Sequence, residues 1–333
     1  MGHHVTLFAT SNSITSANLH SEAPAGYEED PDVDAKVYES LHIAAVFERA
    51  REFDVLSNHF DFGPIAYSRL VETPMVTTIH GFSSERILPI YRKHNDVARY
   101  VSISNADRHQ DLTYEATIYH GIELANFTFK PTAGDYLLFL GRFHPDKGAH
   151  RAIEVARKAG QDLVLAGIIQ DQKYFHDEIA PHIDNRRVRY LGQVESIERD
   201  ILLGGALALL HLISFSEPFG LSVVEALATG TPVIAHPLGS LPEIIRHTKT
   251  GFLVEDIQGA VDAVGLIQSI KRQDCRDDAE NRFSALRMVE DYSALFERVV
   301  SETPSAASRS KSKGRSTKAK RIDESLTPYG NKS

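Results

Sequence analysis

The chain has 333 residues, of which 42% are hydrophobic and 24% charged, a composition that suits about two globular domains. Its single cysteine, Cys275, excludes an internal disulfide and a cysteine-based metal cage. The net charge of −9 is uneven: residues 301–333 hold eight basic and three acidic side chains, which leaves −14 on the first 300 residues, and such an acidic body excludes a general nucleic-acid-binding surface.

Short apolar runs alternate with amphipathic segments along the chain. The predicted strands of the first half are Val5–Ala9, Val55–His59, Met75–His80, Tyr100–Ser104 and Thr117–His120. Those of the second half are Tyr136–Gly141, Leu163–Gly167, Val188–Leu191, Ala206–Ile213, Pro232–Ala235 and Gly251–Val254. Predicted helices cover Ile43–Phe53, Ala149–Ala159, a segment between Gly220 and Gly230, Asp277–Glu290 and Tyr292–Ser301. The alternation indicates doubly wound α/β architecture with parallel sheets.

Pro131 and Gly134 interrupt this pattern near the middle of the chain. We therefore predict an N-terminal Rossmann-like domain over residues 1–126, a linker over 127–135, a C-terminal domain over 136–302 and a basic tail over 303–333. The tail is rich in Ser, Lys and Arg and cannot build a core, so we expect it to be disordered. It offers at most a weak attraction to anionic membrane lipids.

The sequence contains no pattern of a membrane-spanning or secretory segment. The longest strongly apolar stretch, Gly204–Ile213, is about half of the ~18 residues that a membrane-spanning helix needs. The N-terminus lacks the basic start of a signal peptide. Together with the lone cysteine, this predicts a cytoplasmic protein.

The strongest functional pattern is EPFGLSVVEALATGTPVIA, which spans Glu217–Ala235. It predicts a loop, a helix and a strand, with the helix beginning at the edge of the sheet where such folds bind ligands. Gly220 lets a ligand approach the backbone closely, and the N–H groups of Leu221 and Ser222 at the positive helix end suit a phosphate.

Two glutamates flank the start of this helix. Glu225 lies about one turn into it, where a carboxylate can accept hydrogen bonds from both hydroxyls of a ribose. Glu217 precedes the helix and can reach the sugar side of the same ligand. A single glutamate there would more simply cap the helix, but the whole string favours a nucleotide-sugar site.

A second pattern, FLGRFHPDKG, places Arg142 and Lys147 in the loop after a strand, with Gly141 and Gly148 around the turn. Two cations in one loop can neutralise a diphosphate leaving group without a metal.

These strings resemble glycosyltransferase family 4, whose members are retaining enzymes with the GT-B fold of two Rossmann-like domains that face a cleft. The shared residues are Gly141-Arg142, Lys147-Gly148, Glu217 with Glu225, Gly239–Glu243 and Thr250–Val254, and Ser240 replaces a common glycine. The resemblance implies that Arg142 and Lys147 hold the diphosphate of the donor, Glu225 its ribose and Glu217 its sugar. It implies a nucleotide-sugar donor, with UDP-glucose the expected one, and neither a metal nor another cofactor.

The N-terminal half matches this family less sharply. His80-Gly81 follows a strand, and the resemblance places such a histidine near the anomeric carbon of the donor. His59 and His120 are weaker candidates, since the family usually has Asn at the position of His120. Asp30, Asp32 and Asp34 form overlapping Asp-x-Asp pairs, but they lie in a polar loop and not at a strand end, so we predict no metal site there.

The resemblance also raises two alternatives. Family members begin with a strand, a Gly-rich loop and a helix before the segment that matches Gly2–Ala9, so the first strand and helix of the N-terminal domain are expected to be missing. A chain of this kind would bind nucleotide or a partner but transfer sugar poorly. The second alternative is a GT-B sugar-nucleotide epimerase, which shares the diphosphate site and uses no acceptor.

Overall fold

The computed structural model of the chain describes residues 2–26, 33–82 and 84–303. The predicted disordered tail from residue 304 onward, and the aspartates Asp30 and Asp32, lie outside the described residues. Asp34, the third member of the Asp-x-Asp pairs, is the N-cap of the first helix and accepts hydrogen bonds from the N–H groups of Lys36 and Val37. Its carboxylate therefore has a capping role.

Two parallel sheets form in the N-terminal half. Strands β1 (Thr6–Phe8) and β2 (Asn18–His20) pair with each other, and strands β3 (Leu56–Asn58), β4 (Met75–Ile79), β5 (Arg99–Ser102) and β6 (Tyr114–Thr117) form the second sheet in that order. Strand β4 is buried along its whole length, as expected of a central strand covered on both faces. Strand β2 escapes prediction because its sequence, NLH, holds a single aliphatic residue.

One six-stranded parallel sheet forms in the C-terminal half. Its strands are β7 (Tyr136–Leu140), β8 (Asp162–Ala166), β9 (Val188–Tyr190), β10 (Ala206–His211), β11 (Val233–Ala235) and β12 (Gly251–Leu253), in the spatial order β12-β11-β10-β7-β8-β9. The strand order reverses between β7 and β10, so the loops after these two strands open into one crevice. Both sequence motifs lie in these loops, and the predicted doubly wound α/β fold is confirmed.

The helices that cover these sheets are α1 (Ala35–Glu48), α2 (Leu88–Lys93), α3 (Ala149–Ala159), α4 (Gln172–Tyr174), α5 (Ser196–Gly205), α6 (Leu221–Thr229), α7 (Leu241–Ile244), α8 (Ile257–Leu266), α9 (Arg272–Phe283) and α10 (Ala285–Glu302). Helices α3 and α6 have the predicted bounds, and each ends at a left-handed glycine, Gly160 or Gly230. Within the described ranges, no helix is long and apolar enough to cross a membrane.

Helix α10 packs on the N-terminal sheet. Its residue Leu295 is buried in one cluster with Val76 of β4, and the Tyr292 hydroxyl lies 2.7 Å from Oγ1 of Thr78. The predicted C-terminal domain over 136–302 thus includes a helix that also contacts the N-terminal sheet. An apolar helix face looks the same in sequence whichever sheet it covers, and so the pattern could not indicate this crossing.

The boundary between α9 and α10 lies at Ser284, earlier than predicted. The segment around Ile122 contacts the backbone at this boundary. The N–H of Ile122 donates to the carbonyl of Phe283 at 2.8 Å, and the N–H of Ala285 donates to the carbonyl of Ile122 at 2.9 Å. The neighbouring Gly121 has no room for a side chain, since a Cβ would lie 2.5 Å from the carbonyl oxygen of Ser284. A tertiary contact therefore ends α9.

Candidate active site

The loop after β7 delivers a lysine to the crevice. Phe143 is fully buried and anchors the loop, and Gly148 closes it with a φ of +74°. A Cβ at Gly148 would lie 2.1 Å from the carbonyl oxygen of Leu212, so only glycine lets this loop pack against the end of β10. As a result Lys147 points its ammonium at the loop after β10, whereas Arg142 is exposed and donates to Oε1 of Gln170 at 2.6 Å.

Glu217 is the buried carboxylate that receives this lysine. Its Oε2 lies 2.8 Å from Nζ of Lys147 and 3.3 Å from Nε2 of His211, the last residue of β10. Burial acts to raise the pKa of Glu217, but hydrogen bonds and charges from His211 and Lys147 outweigh it and lower this pKa to about 2. The structure therefore joins the two sequence motifs through one ionised pair at the switch point.

Helix α6 begins directly after this carboxylate. Its N-cap, Gly220, has a φ of +89°, and the first N–H groups of the helix, at Leu221 and Ser222, have no intrahelical acceptor. A full turn later, Glu225 lies with its Oε1 3.5 Å from Nη1 of Arg199 on α5. Burial raises the pKa of Glu225, and the charge of Arg199 partly opposes this shift. The helix start, Glu217 and Glu225 thus line one wall of the crevice.

The N-terminal half meets this wall at the His80-Gly81 turn. Gly81 has a φ of +108°, and a Cβ there would lie 3.1 Å from Cγ of Pro218. The ring of His80 stacks on that of His120 with 5.2 Å between centroids, and its Nε2 lies 3.0 Å from Nδ1 of His59. The three histidines singled out in the sequence therefore lie together, across from the loop that carries Glu217.

The surroundings keep these imidazoles neutral at neutral pH. Burial lowers the pKa of His80, and burial together with the neighbouring rings lowers the pKa of His59 and of His120 to about 4. Among the described residues, no group of three or more His, Cys, Asp or Glu has the geometry to hold a metal ion. The cluster is a set of hydrogen-bonding groups.

Glu243, within the GSLPE segment, joins the two halves of the molecule. Its carboxylate accepts hydrogen bonds from the N–H of Asn105 at 2.9 Å, the N–H of Ala106 at 2.7 Å and the hydroxyl of Tyr119 at 2.7 Å. The neighbouring Ser240, which replaces a common glycine, is fully buried and donates to the carbonyl of Phe219 at 2.7 Å. The substitution is accommodated by this hydrogen bond.

Three polar residues of the crevice were not predicted from the sequence: Arg199, His211 and Asp107. Asp107 faces the His80-Gly81 turn, with its Oδ1 3.9 Å from the Cβ position of Gly81, and burial raises the pKa of its carboxyl group to about 7. The position of His211 at the end of an apolar strand was a usable signal. The others lie on a helix or in loops, where only the tertiary structure reveals their neighbours.

Comparisons with known proteins show which proteins the chain is similar to. The family model for glycosyl transferases group 1 matches residues 123–283. The chain is 30% identical over 231 residues to the glycogen synthase of Mycobacterium tuberculosis, a match that covers 60% of this chain and 56% of that protein. The chain spans about half the length of the curated relatives it matches.

Solved structures show the same fold. AviGT4, a glycosyltransferase involved in avilamycin A biosynthesis, superposes with a TM-score of 0.68 and 24% identity over 90% of this chain and 86% of that one. HepE from Anabaena, solved in complex with UDP and glucose, gives a TM-score of 0.68 and 18% identity over 84% and 86% of the two chains. Residues 123–283 therefore match the family model of the glycosyl transferases group 1, and the fold of the chain is that of the GT-B glycosyltransferases.

Proposed function

We propose that the protein is a retaining, metal-independent glycosyltransferase that moves a sugar from a nucleoside diphosphate to an acceptor hydroxyl in the cytoplasm. The observation that carries this proposal is the 2.8 Å pair of Lys147 and Glu217 at the switch point, directly before the N-terminus of α6. A nucleotide-sugar donor is supported by HepE, whose structure holds UDP and glucose. UDP-glucose is the donor we expect here.

Three groups would hold the diphosphate of the donor. Lys147 supplies a charge already in the crevice, and Arg142, whose exposed side chain needs only to leave Gln170, supplies a second. The N–H groups of Leu221 and Ser222 add the positive end of α6. These groups would stabilise the charge that develops as the bond between the anomeric carbon and the phosphate oxygen breaks.

The two glutamates would bind the two remaining parts of the donor, its sugar and its ribose. Glu217 is ionised and directed by Lys147 and His211, so it can accept hydrogen bonds from sugar hydroxyls beside the diphosphate. Glu225 lies one turn further along α6 and would accept the ribose hydroxyls, with Arg199 beside it. Each carboxylate would then accept hydrogen bonds from one hydroxyl-rich part of the donor.

Retention follows if both substrates react on one face of the sugar. The acceptor oxygen would bond to the anomeric carbon from the side that the diphosphate leaves, and the acceptor proton would pass to a phosphate oxygen of the leaving group. His80, on the opposite wall beside Pro218, would border the reacting carbon. Closure of the two halves would exclude water and so limit hydrolysis of the donor.

Product analysis tests the proposal. The chain is incubated with UDP-glucose, GDP-mannose or ADP-glucose, simple glycosides as acceptors and excess EDTA, and the anomeric configuration of the product is read by NMR. We expect a glycoside with the configuration of the donor. An inverted product, or activity that EDTA abolishes and magnesium restores, would refute the mechanism, and an epimerised sugar would favour the epimerase. Lys147→Ala should remove activity, whereas Arg157→Ala, an exposed site on α3, is the matched control.

A further inference from the structure

A cavity lies at the edge of the C-terminal sheet that is opposite the crevice. It has a volume of about 450 Å³, and its lining includes Leu207, at the start of β10, and Pro232, directly before β11. The crevice lies at the carboxyl ends of the same parallel strands, so the length of β10, at about 3.3 Å per residue, separates the two places by roughly 15–20 Å. The volume falls within the ~300–1,000 Å³ of small-molecule sites, which is enough for a ligand of its own.

Two walls of the cavity are largely apolar. The segment before β7, predicted as the linker, contributes Phe129, Pro131 and Ala133, and the turn between α8 and α9 contributes Ile267. The ring of Phe129 packs on the backbone of Gly230, where an added Cβ would lie 2.8 Å from Cε2 of this ring. The rings of the phenylalanine and the proline offer flat faces. Such walls suit the faces of an aromatic ligand.

A buried guanidinium lines the cavity without a counter-charge. Arg272, the first residue of α9, is only 7% exposed. It donates to the carbonyl oxygens of Lys130 at 2.6 Å, Gly204 at 2.8 Å and Ala206 at 2.9 Å, and to the hydroxyl of Thr231 at 2.7 Å. All four acceptors are uncharged, and within the described part of the chain no carboxylate forms an ion pair with Arg272. A buried charge in this state gains from an anion brought close to it.

The other polar groups of the cavity also favour an anion. Lys271 is an exposed second cation, and the side chains of Gln268 and Gln273 carry amide N–H donors. Among the described residues that line the cavity, none is an Asp or a Glu. An anionic group would therefore meet cations and hydrogen-bond donors, and charge-assisted hydrogen bonds are about twice as strong as neutral ones.

We propose that this cavity binds a small amphipathic anion, an aromatic carboxylate, at a site separate from the one that we assign to the donor. The aromatic body packs between Phe129 and Ile267, and the carboxylate faces Lys271 and Arg272. A neutral aromatic compound makes the apolar contacts alone and binds more weakly. The inference goes beyond the proposed function, since these residues lie outside the crevice.

Ligand-observed NMR with a matched pair of probes tests the proposal on the full chain. 2-Naphthoate and 2-naphthamide share one ring system and differ in that the carboxylate, ionised at pH 7, replaces a neutral amide. We expect naphthoate to bind at least about tenfold more tightly than naphthamide, which corresponds to about 1.4 kcal/mol. Saturating UDP should leave both affinities unchanged, because the crevice lies at the other edge of the sheet.

Three variants locate the bound probe. Lys271→Gln removes one exposed cation, so naphthoate should bind roughly threefold more weakly, while naphthamide should bind as before. Gln268→Trp, at an exposed position, should fill the cavity and abolish the binding of both probes. Ala133→Trp, also exposed, fills it from the opposite wall and serves as the second such variant.

The matched control is Lys173→Gln on α4, whose exposed side chain does not line the cavity. It should bind both probes as wild type does. Equal affinity for the two probes, no binding of naphthoate, displacement of naphthoate by UDP, or unchanged binding by a folded tryptophan variant would each overturn the inference, as would an unchanged preference for naphthoate in Lys271→Gln. Failure of wild type to bind UDP would instead contradict the proposed function, since naphthoate binding reports on this cavity alone.

Discussion

The chemistry of the crevice depends on a few residues whose neighbours set their charge. Glu217 is buried yet ionised because Lys147 and His211 contact the same carboxylate oxygen. Lys147 and Glu217 are therefore paired within the crevice. In the proposed mechanism, such preorganisation would let the pair orient a sugar and a diphosphate without a reorganisation cost during the reaction.

Asp107 provides a residue-scale prediction. Burial raises the pKa of its carboxyl group from 3.8 to about 7, so the folded state binds more protons than the unfolded state between these values. This group therefore costs stability increasingly as the pH rises from about 4 to 7. We expect Asp107→Asn to raise the Tm relative to wild type at pH 8 and to leave it nearly unchanged at pH 4.

Thermal melts of both chains across this pH range make the measurement. Asp135→Asn, at an exposed position, is the matched control and should show no such trend. A stabilisation by Asp107→Asn that is equal at pH 4 and pH 8 would mean that this carboxyl is not the titrating group.

At the scale of elements, much of the C-terminal half could be predicted from the sequence. Helices α3 and α6 have the predicted bounds because glycines in the left-handed conformation end them, and this signal is local. The end of α9 at Phe283 could not be predicted, because it depends on the backbone hydrogen bonds of Ile122, which is distant in sequence, with Phe283 and Ala285. Strand β6 likewise begins and ends earlier than Thr117–His120, since His120 instead faces Phe219.

The β7–α3 loop gives a prediction at this scale. Gly148 has a positive φ, which strains an alanine at this position. In Gly148→Ala the added Cβ would also lie 2.1 Å from the carbonyl oxygen of Leu212. We expect a loss of about 2–3 kcal/mol in the free energy of unfolding, together with weaker UDP binding because Lys147 shifts. Gly160→Ala has a similar φ of +67° but nothing within 4 Å, so it should cost only about 1 kcal/mol.

Urea unfolding and UDP titration of both variants provide the measurements. Equal losses of stability in the two variants would show that the close approach to Leu212 is unimportant. Normal UDP binding by a folded Gly148→Ala chain would show that the β7–α3 loop does not contribute to UDP binding.

At the scale of the whole molecule, the sequence predicts two α/β halves but not how they join. Both motifs of the C-terminal site are contiguous in sequence, and the structure brings Lys147 and Glu217 together as the strand order requires. The contacts across the crevice, such as Gly81 on Pro218 and α10 on the N-terminal sheet, link residues far apart in the chain. No periodicity encodes such contacts.

We expect the hydrogen bonds of Glu243 to hold the N-terminal and C-terminal halves together. Glu243→Ala removes the acceptor for the N–H groups of Asn105 and Ala106 and for the hydroxyl of Tyr119. The halves should then separate more easily, seen as a larger radius of gyration in small-angle X-ray scattering of the unliganded chain.

Glu255→Ala, at an exposed position, is the control. UDP binding should survive in both variants, since the residues proposed to bind the nucleotide lie within the C-terminal half. An unchanged radius of gyration and Tm in Glu243→Ala would show that other contacts hold the halves in place.

The proposed function requires that the switch point of the C-terminal sheet binds the diphosphate of a nucleotide-sugar donor. Isothermal titration of UDP into wild type, Arg142→Ala, Lys147→Ala and the control Arg157→Ala tests it most directly. A charge-assisted hydrogen bond contributes about 1.5–3 kcal/mol, so each of the two loop variants should weaken UDP binding by roughly ten- to a hundredfold, while the control should match wild type. UDP affinities that are the same in all four folded chains would show that the switch point does not bind the diphosphate.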